Sequence, residues 1–592
     1  MKHKGLTSPS GLTLIFILTC LFVWRLSHIV PNEMSWDVLG YYMHLPATFV
    51  HNDPLLTNVD WLKKEVETRQ LSGTLYMVSS TPDGKPMYFF LMGMALLYLP
   101  FFLFAHFIAA PLLGFPCDGF SLPYIYAMVC GALVYTTAAL VLLRKVLRHF
   151  FADKTVAILL ILLAFASNAI HHLSLKNLET VNYLFFFVTL MIFLSIRWHQ
   201  SYKPIYMLLV FAAGAITTLI KPSEIFIFLI PLLWQVYDKE SLRKKWNLLF
   251  VQHRKTLLLS IAIALIIVLP QMLYFYQKTG SLIYDSYKNP GVGIDWWSPH
   301  IFEILFSFRK GWIVYTPLAL FFIAGIWYLW KFNKGIALAI SVYAGISFYI
   351  MASWTEWWYG AAYSCRPVIT LYPALLIGMG YLLENLPKSK WIKSVLFLLF
   401  SLFIALNIFQ YHQFLKWIIH PYRTTFAYYK EVFLKSHIPP NAENLLLIDR
   451  SFGEDLRLPP DFPDAYANKS LLTLSEPLSV KASEEYVLDN SLVFSSITSA
   501  DYLFLKCEMK WENLSDSNAD YPLMVLCMDR SNGNYAAQYT PMKPDSNGWV
   551  STLYLTPELR SKKDRVKLFV WNKYNQDFII QEVKWTAFYK EK

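Results

Sequence analysis

Residues 12–37 read LTLIFILTCLFVWRLSHIVPNEMSWD, an apolar run of helical length whose single formal charge before Glu33 is Arg25, followed by a polar stretch and the acid Asp37. A bilayer core needs about 20 apolar residues of helix, so this run is long enough to cross one. The N-terminus has the basic start and apolar core of a signal peptide but lacks an A-x-A cleavage site. Leu12–Val30 therefore reads as a retained first span.

The same pattern recurs along the chain. Of its 592 residues 55% are hydrophobic and only 16% charged, whereas soluble domains carry about 25% charged residues. A mean hydropathy of +0.37 over that length is beyond what one anchor supplies and points to a polytopic α-helical membrane protein. Apolar runs fall at 12–30, 87–113, 121–143, 155–172, 179–196, 204–220, 222–237, 256–275, 312–330, 335–352, 367–385 and 391–411. The net charge of +11 fits basic cytoplasmic loops better than a nucleic-acid partner. Nothing resembles a Walker loop, a GxSxG elbow, HExxH or a dinucleotide fingerprint, which removes ATP-driven transport, serine hydrolysis and zinc proteolysis from consideration.

Lys and Arg gather between particular runs: Arg144 to Lys154, Arg197 with Lys203, Lys239 to Lys255, Lys331 with Lys334, and Lys388 to Lys393. All five loops are cytoplasmic only if the run 87–113 enters and leaves on one side. Pro100 and Pro111 favour that reading, since proline removes a helix hydrogen bond, and the run reads as a re-entrant or juxtamembrane pair. The expectation is about eleven transmembrane helices plus that segment, with the C-terminus outside. Twelve crossings with a cytoplasmic C-terminus remain the alternative.

Beyond residue 412 the hydropathy falls, and short alternating segments such as YLFLKCEMKW and VKLFVWN are punctuated by SDSNAD, RSNGN and KPDSNG. This pattern predicts an all-β sandwich of jelly-roll type, giving a transmembrane domain over 1–435 and an extracytoplasmic β domain over 436–592. Cys507 and Cys527 lie in that domain and are able to pair there if it is extracytoplasmic. No cluster of Cys and His has metal-ligand spacing, so no metal or cofactor is indicated.

With this topology the suggestive residues fall in external loops. Asp37 follows the first span closely enough to sit at the membrane surface, where a carboxylate serves as a general base or, more plainly, as a helix cap. Lys85 in DGKPMYFF and Lys221 in LIKPSE stand at membrane boundaries, where an ammonium either snorkels or holds a lipid phosphate. Arg309 ends an aromatic-rich loop and is able to clamp a phosphate. The stretch 353–373, SWTEWWYGAAYSCRPVITLYP, carries Trp354, Glu356, Trp357, Trp358, Tyr359 and Arg366, more than an interfacial aromatic belt requires. Glu179 in LKNLETVNYLFFF suits the start of a helix, and its functional version is a second carboxylate facing Asp37. His171 and His172 read as interfacial.

In this order the elements resemble the GT-C membrane glycosyltransferases, particularly the bacterial relatives of protein O-mannosyltransferases and of lipid A aminoarabinose transferases. They are the acid of the first external loop (Asp37), Lys85-Pro86 before an embedded segment, Lys221-Pro222 closing a mid-chain run, and Tyr359-Gly360 with Arg366-Pro367 entering a late span. The likeness covers residues 10–411. It implies Asp37 as catalytic base and a phosphate of a polyprenyl-phosphate sugar donor held by Lys85, Lys221, Arg309 and Arg366. Trp354, Glu356, Trp357, Tyr359 and Glu179 then complete the substrate pocket. Val38 departs from the mannosyltransferase pattern, which has an acidic pair there, and leaves sugar and acceptor open. The segment LTPELRSKKDRVKLFVWNKYNQDFIIQEVKWTAFY looks like the carbohydrate-binding jelly rolls of Bacteroidetes enzymes.

A lipid-linked sugar brings its own leaving group to the interface, so a base, cations and orientation suffice and no nucleotide site is required. The expected activity is therefore inverting transfer of a hexosyl or pentosyl group from the lipid-linked donor onto a lipid, glycan or protein, with no cofactor certain and a divalent metal allowed but not supported by any motif. Its expected place is the periplasmic face of a bacterial inner membrane, in the making of a cell-envelope glycan. The competing readings are a transporter or flippase of lipid-linked glycans and a non-catalytic membrane-anchored glycan-binding protein.

Overall fold

The computed structural model describes residues 5–72, 75–81, 83–287, 293–387, 389–447, 462–474, 476–493, 503–513, 521–529, 535–556, 565–573 and 576–589. The chain divides into two units, Met1–Lys288 with Pro299–Tyr422, and Asn289–Ser298 with Arg423–Lys592. The second unit thus begins at Arg423, ahead of the expected boundary at 435, and includes a piece of an earlier loop.

The first unit is helical and membrane-embedded in character. Among the described residues eight helices are long and apolar enough to cross a membrane: Pro9–Leu26, Gly93–Leu112, Leu122–Phe150, Thr180–Ser201, Arg254–Thr279, Lys334–Ser353, Arg366–Asn385 and Lys390–Leu415. Pro204–Ile220, Pro222–Leu233 and Ala319–Phe332 are shorter apolar helices. The run at 155–172 splits into the helix Asp153–Phe165 and the short turn Ala169–Leu173. Local chemistry sets several of these limits. Ser8 accepts the Gly11 N–H as an N-cap with Pro9 in the first turn, so the first helix starts ahead of the apolar run. Gly280, at φ 75°, stops the helix Arg254–Thr279.

Contacts between loops sort the unit into two ends. At one, Arg144 donates to Ser8 and Ser10, Ala152 N donates to Glu384, Asn333 to Tyr381, and Gln235 N to Gly335 O. Lys245 meets His199 and the Pro231 carbonyl at that end as well. The five basic loops are therefore gathered together. The opposite end holds the loops after Leu26, after Leu173, at Lys221 and between Ser353 and Arg366.

The helix Gly93–Leu112 departs from the expected broken pair. It is continuous, because Pro100 forfeits a single backbone bond and the π-helical turn Ala105–Ala109 absorbs the misfit near its end. It starts against Leu219 and Ile220, where a Cβ on Gly93 would come within 2.2 Å of backbone. Beyond it the chain passes Tyr42, which donates to Gly119 O, and Arg69, which pairs with Asp118 at 2.8 Å. Both flanks thus lie at the end of the unit that holds the first long loop.

Where Ala319–Phe332 crosses Arg366–Asn385 the backbones touch. A Cβ on Gly325 would stand 2.5 Å from Met379 N, and one on Gly378 would stand 2.9 Å from Gly325 C. Small residues permit this approach between apolar helices, where van der Waals packing is the main cohesive force. Gly325→Val is expected to lower stability by about 1–3 kcal/mol through overpacking, read as an earlier thermal unfolding in detergent. An unchanged midpoint would mean that the helices separate freely there.

The second unit's described strands form two antiparallel sheets. One orders Tyr486–Val493, Arg565–Trp571, Leu523–Asp529 and Tyr535–Pro541; the other orders Ala467–Leu474, Phe578–Tyr589, Leu503–Asn513 and Trp549–Leu555, with Leu478–Val480 also beside Phe578–Tyr589. Alternation places Leu505, Cys507 and Met509 of one sheet and Met524, Leu526, Val566, Leu568 and Val570 of the other in one shared core. Cys507 points into that core, while Cys527 follows Leu526 onto the opposite face of its own sheet, across from Lys567 and Ala537. No disulfide joins them, so the pairing left open by the sequence does not form.

Candidate functional site

Arg366 stands where the loop after Ser353 turns into the 3-10 segment Arg366–Leu371. Its guanidinium bridges two acids from distant parts of the chain: Nη2 donates to Asp37 Oδ2 at 2.6 Å and Nη1 to Glu179 Oε2 at 3.2 Å. The other Asp37 oxygen accepts from the Tyr76 hydroxyl at 2.6 Å. Glu179 Oε2 also lies 3.1 Å from His172 Nδ1. The side chains of Arg366, Glu179 and Asp37 are 19%, 11% and 35% exposed, so the bridge is sheltered and opens to solvent at Asp37.

The loops that present these groups are held rigidly. Trp36 precedes Asp37 with φ 54° and ψ −126°, a conformation that costs a non-glycine residue about 1–3 kcal/mol. The short helix Asp37–Tyr42 follows directly. Asn177, two residues before Glu179, accepts from Arg25 Nε at 3.0 Å, and buried Arg25 forms a two-pronged pair with Glu33 at 2.7 Å. The C-terminus of the first helix and the Glu179 loop are thereby tied to one another. Glu179 occupies the cap position of Thr180–Ser201, yet its carboxylate turns to Arg366 and does not cap the helix.

Burial opposes the charge on Glu179, but Arg366 and then His172 more than offset it and hold the carboxyl well below its ordinary value. Burial also lowers His172, despite Glu179 beside it, and keeps the ring neutral near pH 7. Burial and then the Asp37 charge push the Tyr76 phenol well above its usual range, so it remains a donor. A carboxyl depressed in the folded state contributes stability that is complete above its unfolded value and is lost as pH falls through the folded one. Glu179 should therefore stabilise the chain fully above about pH 4.5 and progressively less below it. Melting curves of wild type and Glu179→Gln should converge as the pH drops under 4.5; a gap independent of pH would show that the charge contributes nothing.

Lys221 joins this end of the unit. Its ammonium lies 5.4 Å from the centroid of the Tyr359 ring and interacts with the charges of Glu224, Arg366 and Asp37. It makes no hydrogen bond or ion pair among the described residues. The Tyr359 hydroxyl donates to Met351 O at 2.8 Å, and the turn there uses left-handed backbone at Tyr359 and Gly360.

The other expected residues are distributed differently. Arg309 packs over Trp358 at 3.9 Å and Trp357 at 5.7 Å while Nε donates to Tyr422 O. Trp357 is buried, and Trp354 and Glu356 are half-buried in the same turn. Lys85 is 70% exposed at a hairpin turn, paired with Asp83 at 2.7 Å, and is not among the groups assembled around Arg366. Its sequence position before an apolar helix says nothing about which way the hairpin points. Tyr76 and Glu224 lie outside the expected set, and His172, read as interfacial, instead stands beside Glu179. His172 is an ionisable residue seven positions before an acid, whereas Tyr76 sits in a loop with no spacing cue.

No protein-family model matches the chain, and no curated protein matches it.

Proposed function

We propose that the chain is a GT-C-type glycosyltransferase that moves a sugar from a polyprenyl-phosphate donor to a lipid, glycan or protein acceptor at the extracytoplasmic face of a bacterial inner membrane. The observation that carries this reading is the Asp37–Arg366–Glu179 bridge at the end of the helical unit opposite the basic loops, with Lys221 beside it. On the positive-inside rule that end is periplasmic. About eleven crossings, with Gly93–Leu112 lying at the membrane surface, then leave the β domain in the periplasm.

In the proposed reaction Asp37 takes the proton of the acceptor hydroxyl or amine. The acceptor atom bonds to the anomeric carbon as the bond from that carbon to the phosphate oxygen breaks, which inverts the configuration. Negative charge grows on the leaving polyprenyl phosphate while it disappears from Asp37. Arg366 then loses part of its partner and turns its charge to the phosphate, with Lys221 beside it. Such charge redistribution costs little reorganisation, because the cations are already in place. Arg309 and the turn Trp354–Tyr359 shape the sugar and acceptor sites.

Membranes containing the protein, given radiolabelled sugar on polyprenyl phosphates, should yield label in an acceptor fraction. Donor binding without transfer, together with movement of labelled donor across liposomes, would replace this reading by the transporter.

A further inference from the structure

Glu224 lies two residues past Pro222 in the 3-10 segment Pro222–Phe228 and is 5% exposed. Its Oε2 is buried without a hydrogen-bond partner, and its carboxylate makes no hydrogen bond or ion pair among the described residues. A buried carboxylate lacking donors is costly, and native chains seldom retain one without use. The charged group it interacts with is Lys221 at the start of its own segment, and its charge also acts on the neutral phenols of Tyr343 and Tyr359. Lys221 in turn interacts with Arg366 and Asp37. Glu224 is thereby linked through Lys221 to the same assembly as the bridge.

We infer that Glu224 is a donor-sugar contact, which accepts a hydrogen bond from a hydroxyl or amino substituent of the sugar whose phosphate lies at Lys221. The inference rests on the glycosyltransferase reading and adds the specificity of its donor. A lysine free to take an anion and an unfilled carboxylate three residues on in the same short segment select a ligand with an anionic group and a hydrogen-bond donor a few bonds apart. A glycosyl phosphate has that arrangement and a bare polyprenyl phosphate does not. Rejecting a ligand that leaves a buried polar group unpaired is an effective form of discrimination.

The test is equilibrium binding to the full-length protein in nanodiscs, with undecaprenyl phosphate, undecaprenyl-phosphoglucose and an undecaprenyl-phospho-aminopentose as probes. Wild type should bind at least one sugar-bearing lipid about tenfold or more tighter than undecaprenyl phosphate, the value of one charge-assisted hydrogen bond. Glu224→Ala should remove that preference and leave undecaprenyl phosphate binding unchanged. Glu224→Gln, which preserves shape and an accepting oxygen, should retain preference for a hydroxyl donor and lose it for an ammonium. If Glu224→Ala and Glu224→Gln both keep the wild-type preference, the inference is overturned while the glycosyltransferase reading stands. If wild type binds none of the three lipids, both are overturned.

Discussion

Asp37→Asn should abolish sugar transfer while the protein is still produced and inserted. A general base contributes about 10²- to 10⁴-fold to rate, and an amide of the same shape has no basic oxygen to take the acceptor proton. The substitution keeps an oxygen able to accept from Tyr76, so the first loop retains one of its two ties to this residue. Transfer of radiolabel from the donor panel, compared at equal protein levels, reads the effect directly. Full activity in this variant would remove Asp37 from the mechanism and leave the bridge as a purely structural pair.

Arg366→Ala has the second large effect, and it acts on stability and activity together. Removing one partner from a sheltered ion pair leaves the other charges uncompensated, at a cost of about 3 kcal/mol or more; here two carboxylates, Asp37 and Glu179, lose the same guanidinium. Transfer should fall below detection because the leaving phosphate loses its principal cation. Arg366→Lys separates the two consequences. A lysine restores a charge but cannot reach both acids through two distinct nitrogens, as Nη1 and Nη2 do. It should recover part of the melting temperature and little of the transfer. Combining Arg366→Ala with Glu179→Gln should cost less than the sum of the single changes, since the second removes a charge that the first has stranded. Strict additivity would mean that Glu179 and Arg366 are energetically independent in spite of their contact.

The membrane character of the helical unit was legible because hydropathy is a property of short windows. A 20-residue apolar run is visible without knowledge of its neighbours. The β domain was legible for the same reason, since alternation and turn residues are local. Helix limits moved where capping decided them, as at Ser8–Pro9. The run 155–172 broke because the stretch after Phe165 turns short of a full span. The pairing of Cys507 and Cys527 was open in the sequence because it depends on which face of which sheet each residue occupies.

The candidate site divides along the same line. Asp37, Glu179, Lys221 and Arg366 stand out individually, as ionisable residues beside apolar runs. Their meeting does not: Asp37 and Arg366 are 329 positions apart, and nothing local records which loops a bundle brings to one point. Lys85 shows the converse, a residue with the right neighbours in sequence whose side chain pairs with Asp83 at a solvent-facing turn. Tyr76 and Glu224 matter through what surrounds them, one by reaching Asp37 and the other by having no donor for its buried Oε2 among the described residues. The sequence by itself determined the solvent of each part, lipid for the apolar helices and water for the outer faces of the sheets, because transfer free energy is set residue by residue. The tertiary structure alone decided which charges are paired, since an ion pair depends on distance and burial between groups whose positions only the packed helices define.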